Sequence, residues 1–202
     1  MKFVKEQKRT NYCGELNIKN AGQTVTIMGW VDSRRDHVSL VCIDLRDREG
    51  IVQVVLDPNK GDTSSAKDFR GEYVVAIQGI VKARPEGMKN SKIKTGEIEI
   101  EAIRCEILNS AATPPFRPED ENVNEVLRLK YRYLDLRSQR LQHHMITRHK
   151  VAQLVRRFLT DNGFLEIETP IMFKSTPEGA RDYLVPSRVN PGNFYALPQS
   201  PQ

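Results

Sequence analysis

The apolar residues of this chain change their period once, and that change fixes which architectures are open to it. From Gln23 to about Asn109 they alternate with polar residues or gather in short β-branched runs, at 24–31, 39–45, 50–56, 73–81 and 96–108. A period of two is that of a strand with one buried face. Asp47-Arg48-Glu49-Gly50 is a tight hairpin signal between the second and third runs. The polar, non-alternating stretch at 64–70 predicts one short helix between the third and fourth. After residue 122 the period is helical: Val126, Leu127, Leu129, Tyr131 and Leu134 cluster, then Val151, Leu154, Val155 and Phe158 recur at i, i+3, i+4 and i+7. A helix over 139–161 is predicted to bury one stripe and to stop at Asn162-Gly163, with a strand following at 165–168. Between the two regimes Pro114, Pro115 and Pro118 lie in a stretch without period, which reads as a linker.

The expected division is therefore a first domain at 1–109, a linker at 110–122 and part of a second domain at 123–202, an α+β chain overall. Five strands with a helix after the third is the layout of an OB-fold barrel, whose outer face and loops commonly hold single-stranded nucleic acid. The 202 residues leave room for one full domain of about 100 to 120 residues and part of another.

Charge bears on partners. The chain carries 31 basic against 26 acidic residues, net +5, which suits a phosphate-rich partner without requiring one. Arg34, Arg35, Arg46, Arg48, Lys82, Arg84, Lys89, Lys92 and Lys94 fall on or beside the first-to-second and fourth-to-fifth strand connections. Such a set would neutralise phosphates beside bases held on the barrel; the competing reading is an ordinary solvated surface. Trp30 reads as core, and Cys42 as a small packing residue. Cys13, Cys42 and Cys105 lie far apart with no Cys-x-x-Cys pair, so neither a disulfide framework nor a metal site is expected, and a reducing cytoplasm fits. The charged start never reaches an apolar signal core, and no run approaches about 18 apolar residues, so no membrane association is expected. Glu168, Glu178 and Asp182 read, by spacing alone, as surface charges.

Gly-Phe-Leu-Glu-Ile-Glu-Thr-Pro at 163–170, coming after a long amphipathic helix, resembles motif 1 of the class II aminoacyl-tRNA synthetases. Ser-Thr-Pro-Glu-Gly-Ala-Arg-Asp-Tyr-Leu-Val-Pro-Ser-Arg at 175–188 and Gln-Ser-Pro-Gln at 199–202 resemble the bacterial-type aspartyl branch of that family. The resemblance implies an anticodon-binding OB-fold followed by the start of the class II antiparallel catalytic domain. It implies L-aspartate, ATP with Mg²⁺, and tRNA(Asp) as partners, and a homodimer formed through motif 1 with Pro170 at the interface. On the tRNA side it points to Arg35 and Gln53 as readers of anticodon bases, beside the Trp-Val-x-x-Arg-Arg-Asp segment at 30–36, with Cys42 where the family often carries a stacking Phe. On the substrate side it points to Glu178, whose carboxylate would help hold the aspartate ammonium, and to Ser200 and Gln202 in the same pocket.

His37 and Gly87 match members that also charge tRNA(Asn), in which the positions given to Leu and Lys in tRNA(Asp)-specific members are commonly His and Gly. No catalytic residue is assigned within the chain, because motifs 2 and 3 follow later in the family, so these residues alone are expected to be inactive. The rival readings are a strictly tRNA(Asp)-specific enzyme and a free-standing OB-fold RNA-binding module with a helical tail.

Overall fold

The structure, a computed structural model, describes residues 3–37, 39–175 and 181–197. A short helix α1 (Phe3–Glu6) precedes five strands, β1 (Thr24–His37), β2 (Leu40–Arg46), β3 (Ile51–Leu56), β4 (Val74–Ala83) and β5 (Ile98–Asn109). They close into a barrel in the order β1-β2-β3-β5-β4, antiparallel except where β3 meets β5. The hairpin expected at 47–50 joins β2 to β3, with the Asp47 N–H donating to the Gly50 carbonyl at 2.9 Å. The helix expected at 64–70 is a 3-10 turn over Ser64–Asp68.

Alternation decides what fills the barrel. Val25, Ile27 and Val31 of β1, Ile43 and Leu45 of β2, Val52, Val54 and Leu56 of β3, and Ile77 and Val81 of β4 are all buried and form one core with Phe69 and Leu16. Trp30 does not join them. It falls on the opposite parity from Ile27 and Val31, and it is 38% exposed, so the core reading of Trp30 is corrected by the pleat itself. Past Val31 a bulge shifts the register before Ser33, and β1 runs on to His37, well beyond the expected 24–31.

The chain forms two compact units, Met1–Arg117 and Pro118–Gln202. In the second, α2 (Glu125–Lys130), α3 (Arg132–Asp135) and α4 (Gln139–Asp161) precede a two-stranded sheet of β6 (Tyr183–Pro186) and β7 (Phe194–Leu197). Ser138 caps α4 by accepting the Leu141 N–H, and Glu119 accepts the Gln139 N–H at 3.3 Å, which ties the end of the proline-rich stretch to the start of the helix. Gly163, at φ 85°, follows the Asn162 cap. Two expectations fail in this unit. The α4 stripe is not buried, since no residue of the helix is buried and Phe158 is 65% exposed. Residues 165–168 form no strand, because among the described residues no neighbouring segment supplies the ladder of hydrogen bonds that defines one.

Candidate nucleic-acid interface and family

Residues directly opposite each other in an antiparallel pair share a face, so the register places the candidate side chains. Ser33 lies opposite Asp44, Arg35 opposite Cys42 and His37 opposite Leu40; on the other edge of β2, Asp44 lies opposite Gln53 and Cys42 opposite Val55. The outer face of β1, β2 and β3 therefore gathers Arg35, Gln53 and His37, which the sequence separates by up to 18 positions. Arg35 and Gln53 touch. Arg35 Nη2 donates to both Asp44 carboxylate oxygens at 2.8 and 3.0 Å and to Gln53 Oε1 at 3.4 Å. Gln53 Nε2 donates to Glu99 Oε2 at 3.2 Å, and Ser33 Oγ to Asp44 Oδ2 at 2.6 Å. A groove of about 290 Å³ borders this face, lined by Leu40, Val55, Lys60, Lys82, Glu99 and others.

Sequence reasoning did not single out Asp44, Ser33 or Glu99. Parity alone would have put Asp44 and Gln53 on outer positions, but which residues oppose each other depends on the hairpin register and the bulge.

The basic set divides once its partners are known. Arg34 Nη1 donates to the carbonyls of Lys67 and Phe69 at 2.8 Å, closing the end of the 3-10 turn, and its other side pairs with Asp36. Arg46 is held between Asp32 and Glu72. Arg84 is 7% exposed, and its Nε donates to the Ile98 carbonyl at 2.9 Å. The phosphate reading is corrected for Arg34, Arg46 and Arg84: they hold the barrel together, because each meets carbonyls or carboxylates that a charge count cannot see. Lys89, Lys92 and Lys94 remain as exposed cations on the β4–β5 loop. Cys42 is nearly covered, and burial pushes its thiol up against the opposing pull of the Arg35 guanidinium.

Gly87 sits in a turn closed by the Met88 N–H donating to the Pro85 carbonyl at 3.0 Å, with φ at 88°. A type II turn demands such a φ at its third residue, so glycine has a local conformational reason to be there. Pro170 lies exposed in a stretch without regular structure. Asp182 accepts a hydrogen bond from Ser175 Oγ at 3.0 Å. Glu178, Ser200 and Gln202 lie outside the described residues.

Two family models match the chain: an OB-fold nucleic acid binding domain over residues 25–108, and the tRNA synthetases class II (D, K and N) over residues 124–202. An Aspartate--tRNA(Asp/Asn) ligase of Syntrophotalea carbinolica is 59% identical and one of Caldanaerobacter subterraneus subsp. tengcongensis 60% identical, each across 96% of this chain. Over most of its length the chain is similar to class II aminoacyl-tRNA synthetases. It spans about a third of the length of these synthetase relatives. Among solved synthetases, an asparaginyl-tRNA synthetase from Pyrococcus horikoshii complexed with asparaginyl-adenylate has a TM-score of 0.81 at 24% identity, covering 96% of this chain and 43% of that one. An aspartyl tRNA synthetase from Entamoeba histolytica has a TM-score of 0.74 at 24% identity, covering 82% and 40%. At that identity the likeness to solved synthetases bears on the fold alone.

Proposed function

We propose that these residues are the amino-terminal portion of a cytoplasmic aspartate–tRNA ligase that charges tRNA(Asp) and also tRNA(Asn). The observation that carries the reading is the cluster on the outer barrel face: a guanidinium and an amide meet there, the groups best suited to read base edges in an unpaired loop. In this reading 1–109 binds the anticodon, 110–122 is the hinge, and 123–202 opens the catalytic domain. Arg35 and Gln53 contact anticodon bases, and Glu178, Ser200 and Gln202 receive L-aspartate. Pro170 belongs to a homodimer interface. ATP activates the aspartate carboxylate as an adenylate with loss of pyrophosphate, and a ribose hydroxyl of the tRNA then displaces AMP. Mg²⁺ supplies neutralisation of the phosphates when bound. Among the described residues no cluster of three or more His, Cys, Asp or Glu is placed to hold a metal, and no step is assigned to the ion.

The anticodons of the two tRNAs differ in a C or U third base, which presents a donor or an acceptor at the same place. The relaxed choice rests on His37 and Gly87 leaving U unrejected. A full-length synthetase containing this segment is expected to charge both tRNAs with kcat/KM values within about tenfold, a gap of about 1.4 kcal/mol. His37→Leu is expected to widen the gap by losing tRNA(Asn). It is a cleaner test than Gly87→Lys, which also strains the Pro85–Met88 turn. A preference for tRNA(Asp) on the order of a thousandfold in the unaltered enzyme refutes the relaxed reading.

A further inference from the structure

Arg35 meets its neighbours through one nitrogen. All its hydrogen bonds to Asp44 and Gln53 use Nη2, and among the described residues none takes Nε or Nη1. Asp44 is the centre of the contact. Its carboxylate is 23% exposed, receives Ser33 Oγ on one oxygen and Arg35 on both, and lies opposite Gln53 in the ladder. A planar guanidinium on a flexible stem is thus held by one corner, with Nε and Nη1 left as further donors. The same contact fixes the Gln53 amide, because its oxygen accepts from Arg35 while its nitrogen donates to Glu99. Amide orientation decides whether a base edge meets a donor or an acceptor.

We propose that Asp44, braced by Ser33, is a positioning residue for base reading: it sets the fork of Arg35 and, through it, the amide of Gln53. The inference rests on the anticodon reading above, yet it carries an opposite sign from simple electrostatics. A carboxylate on an RNA-binding face repels phosphate, so on electrostatics alone removing its charge should tighten binding to any RNA loop. Removing a positioning group should instead erode the distinction between the right loop and a wrong one.

The test compares affinities of the 202-residue chain for the tRNA(Asp) anticodon stem-loop and for the same stem-loop with one anticodon base replaced. Asp44→Asn is expected to reduce the ratio of the two affinities by about tenfold or more, with binding to the replaced loop unchanged or tighter. Ser33→Ala should lower the ratio in the same direction by a smaller factor, and it covers the case in which Asp44→Asn does not fold. In an Arg35→Ala background Asp44→Asn should cost no further discrimination, since its effect passes through Arg35. An unaltered ratio in both Asp44→Asn and Ser33→Ala, or a full additional loss in the Arg35→Ala background, overturns the role of Asp44 while the anticodon reading stands. Absence of discrimination in the unaltered chain removes that reading and this one with it.

Discussion

Arg35 and Arg84 carry the same charge and serve opposite ends in one barrel. Arg84 spends its guanidinium on the Ile98 carbonyl beneath the surface, whereas Arg35 stands on the outer face with Gln53 beside it. Arg35→Ala and Gln53→Ala are therefore expected each to weaken stem-loop binding by about tenfold, and Lys67→Ala, at an exposed position off this face, to leave it unchanged. Affinity should fall as salt rises, since phosphate contacts dominate; filter binding across a salt series checks both, and equal effects of all three variants would remove the assignment.

The thiols make a second residue-scale prediction. Burial, reinforced by the Asp47 charge, pushes Cys13 far up, and burial also raises Cys105. A thiol whose folded value lies above its unfolded one keeps its proton while the unfolded chain begins to release it near pH 8.5. Its contribution is intact below that pH and declines above it, by up to about 1.4 kcal/mol per pH unit for each thiol. Urea midpoints from pH 7 to 10 should fall, and Cys13→Ala should flatten the decline; an identical slope in that variant contradicts the account.

At the scale of elements, the barrel depends on how closely its N-terminal turn approaches the β2–β3 hairpin. The Cys13 N–H donates to Asp47 Oδ2 at 2.6 Å, and a Cβ on Gly14 would lie 1.9 Å from the Glu49 carbonyl oxygen. Gly14→Ala must push that turn off the hairpin, and we expect about 1 to 3 kcal/mol of lost stability in denaturant unfolding of the barrel; an unchanged midpoint would mean that the turn is not docked. Elements of this kind also mark what the sequence could tell. The five strands were legible because half of each is buried in one core, which leaves a period of two, and α4 was legible from its own 3.6 period. Residues 165–168 share the composition of a strand but have no pairing neighbour among the described residues, and pairing is a property of two segments. Trp30 was misread because aromatic bulk suggested the interior while its parity on β1 placed it outside. Of the candidate site, the face was legible and the contacts were not: Asp44 and Glu99 enter only through register.

At the scale of the whole molecule, the two units differ in how much apolar surface they cover. The barrel closes over its own core. In the second unit Leu154 and Phe158 of α4, and Leu165, Ile167 and Ile171 of the segment after it, are 65 to 83% exposed. So many exposed apolar side chains mark an interface rather than a free exterior. In the proposed enzyme it would meet the remainder of the catalytic domain and a second subunit. The 202-residue chain by itself is expected to bind an apolar dye and to self-associate through this unit, and Ile167→Asp together with Ile171→Asp to weaken both without shifting stem-loop affinity. In the proposed enzyme the arginines that hold ATP would lie in motifs 2 and 3, outside these residues. Aspartate-dependent pyrophosphate exchange should be absent from the chain alone, measured at enzyme concentrations that would reveal on the order of a thousandth of an ordinary synthetase rate. Exchange above that level would mean that the adenylate site assembles from these residues, and the assignment of catalysis to later segments would fail.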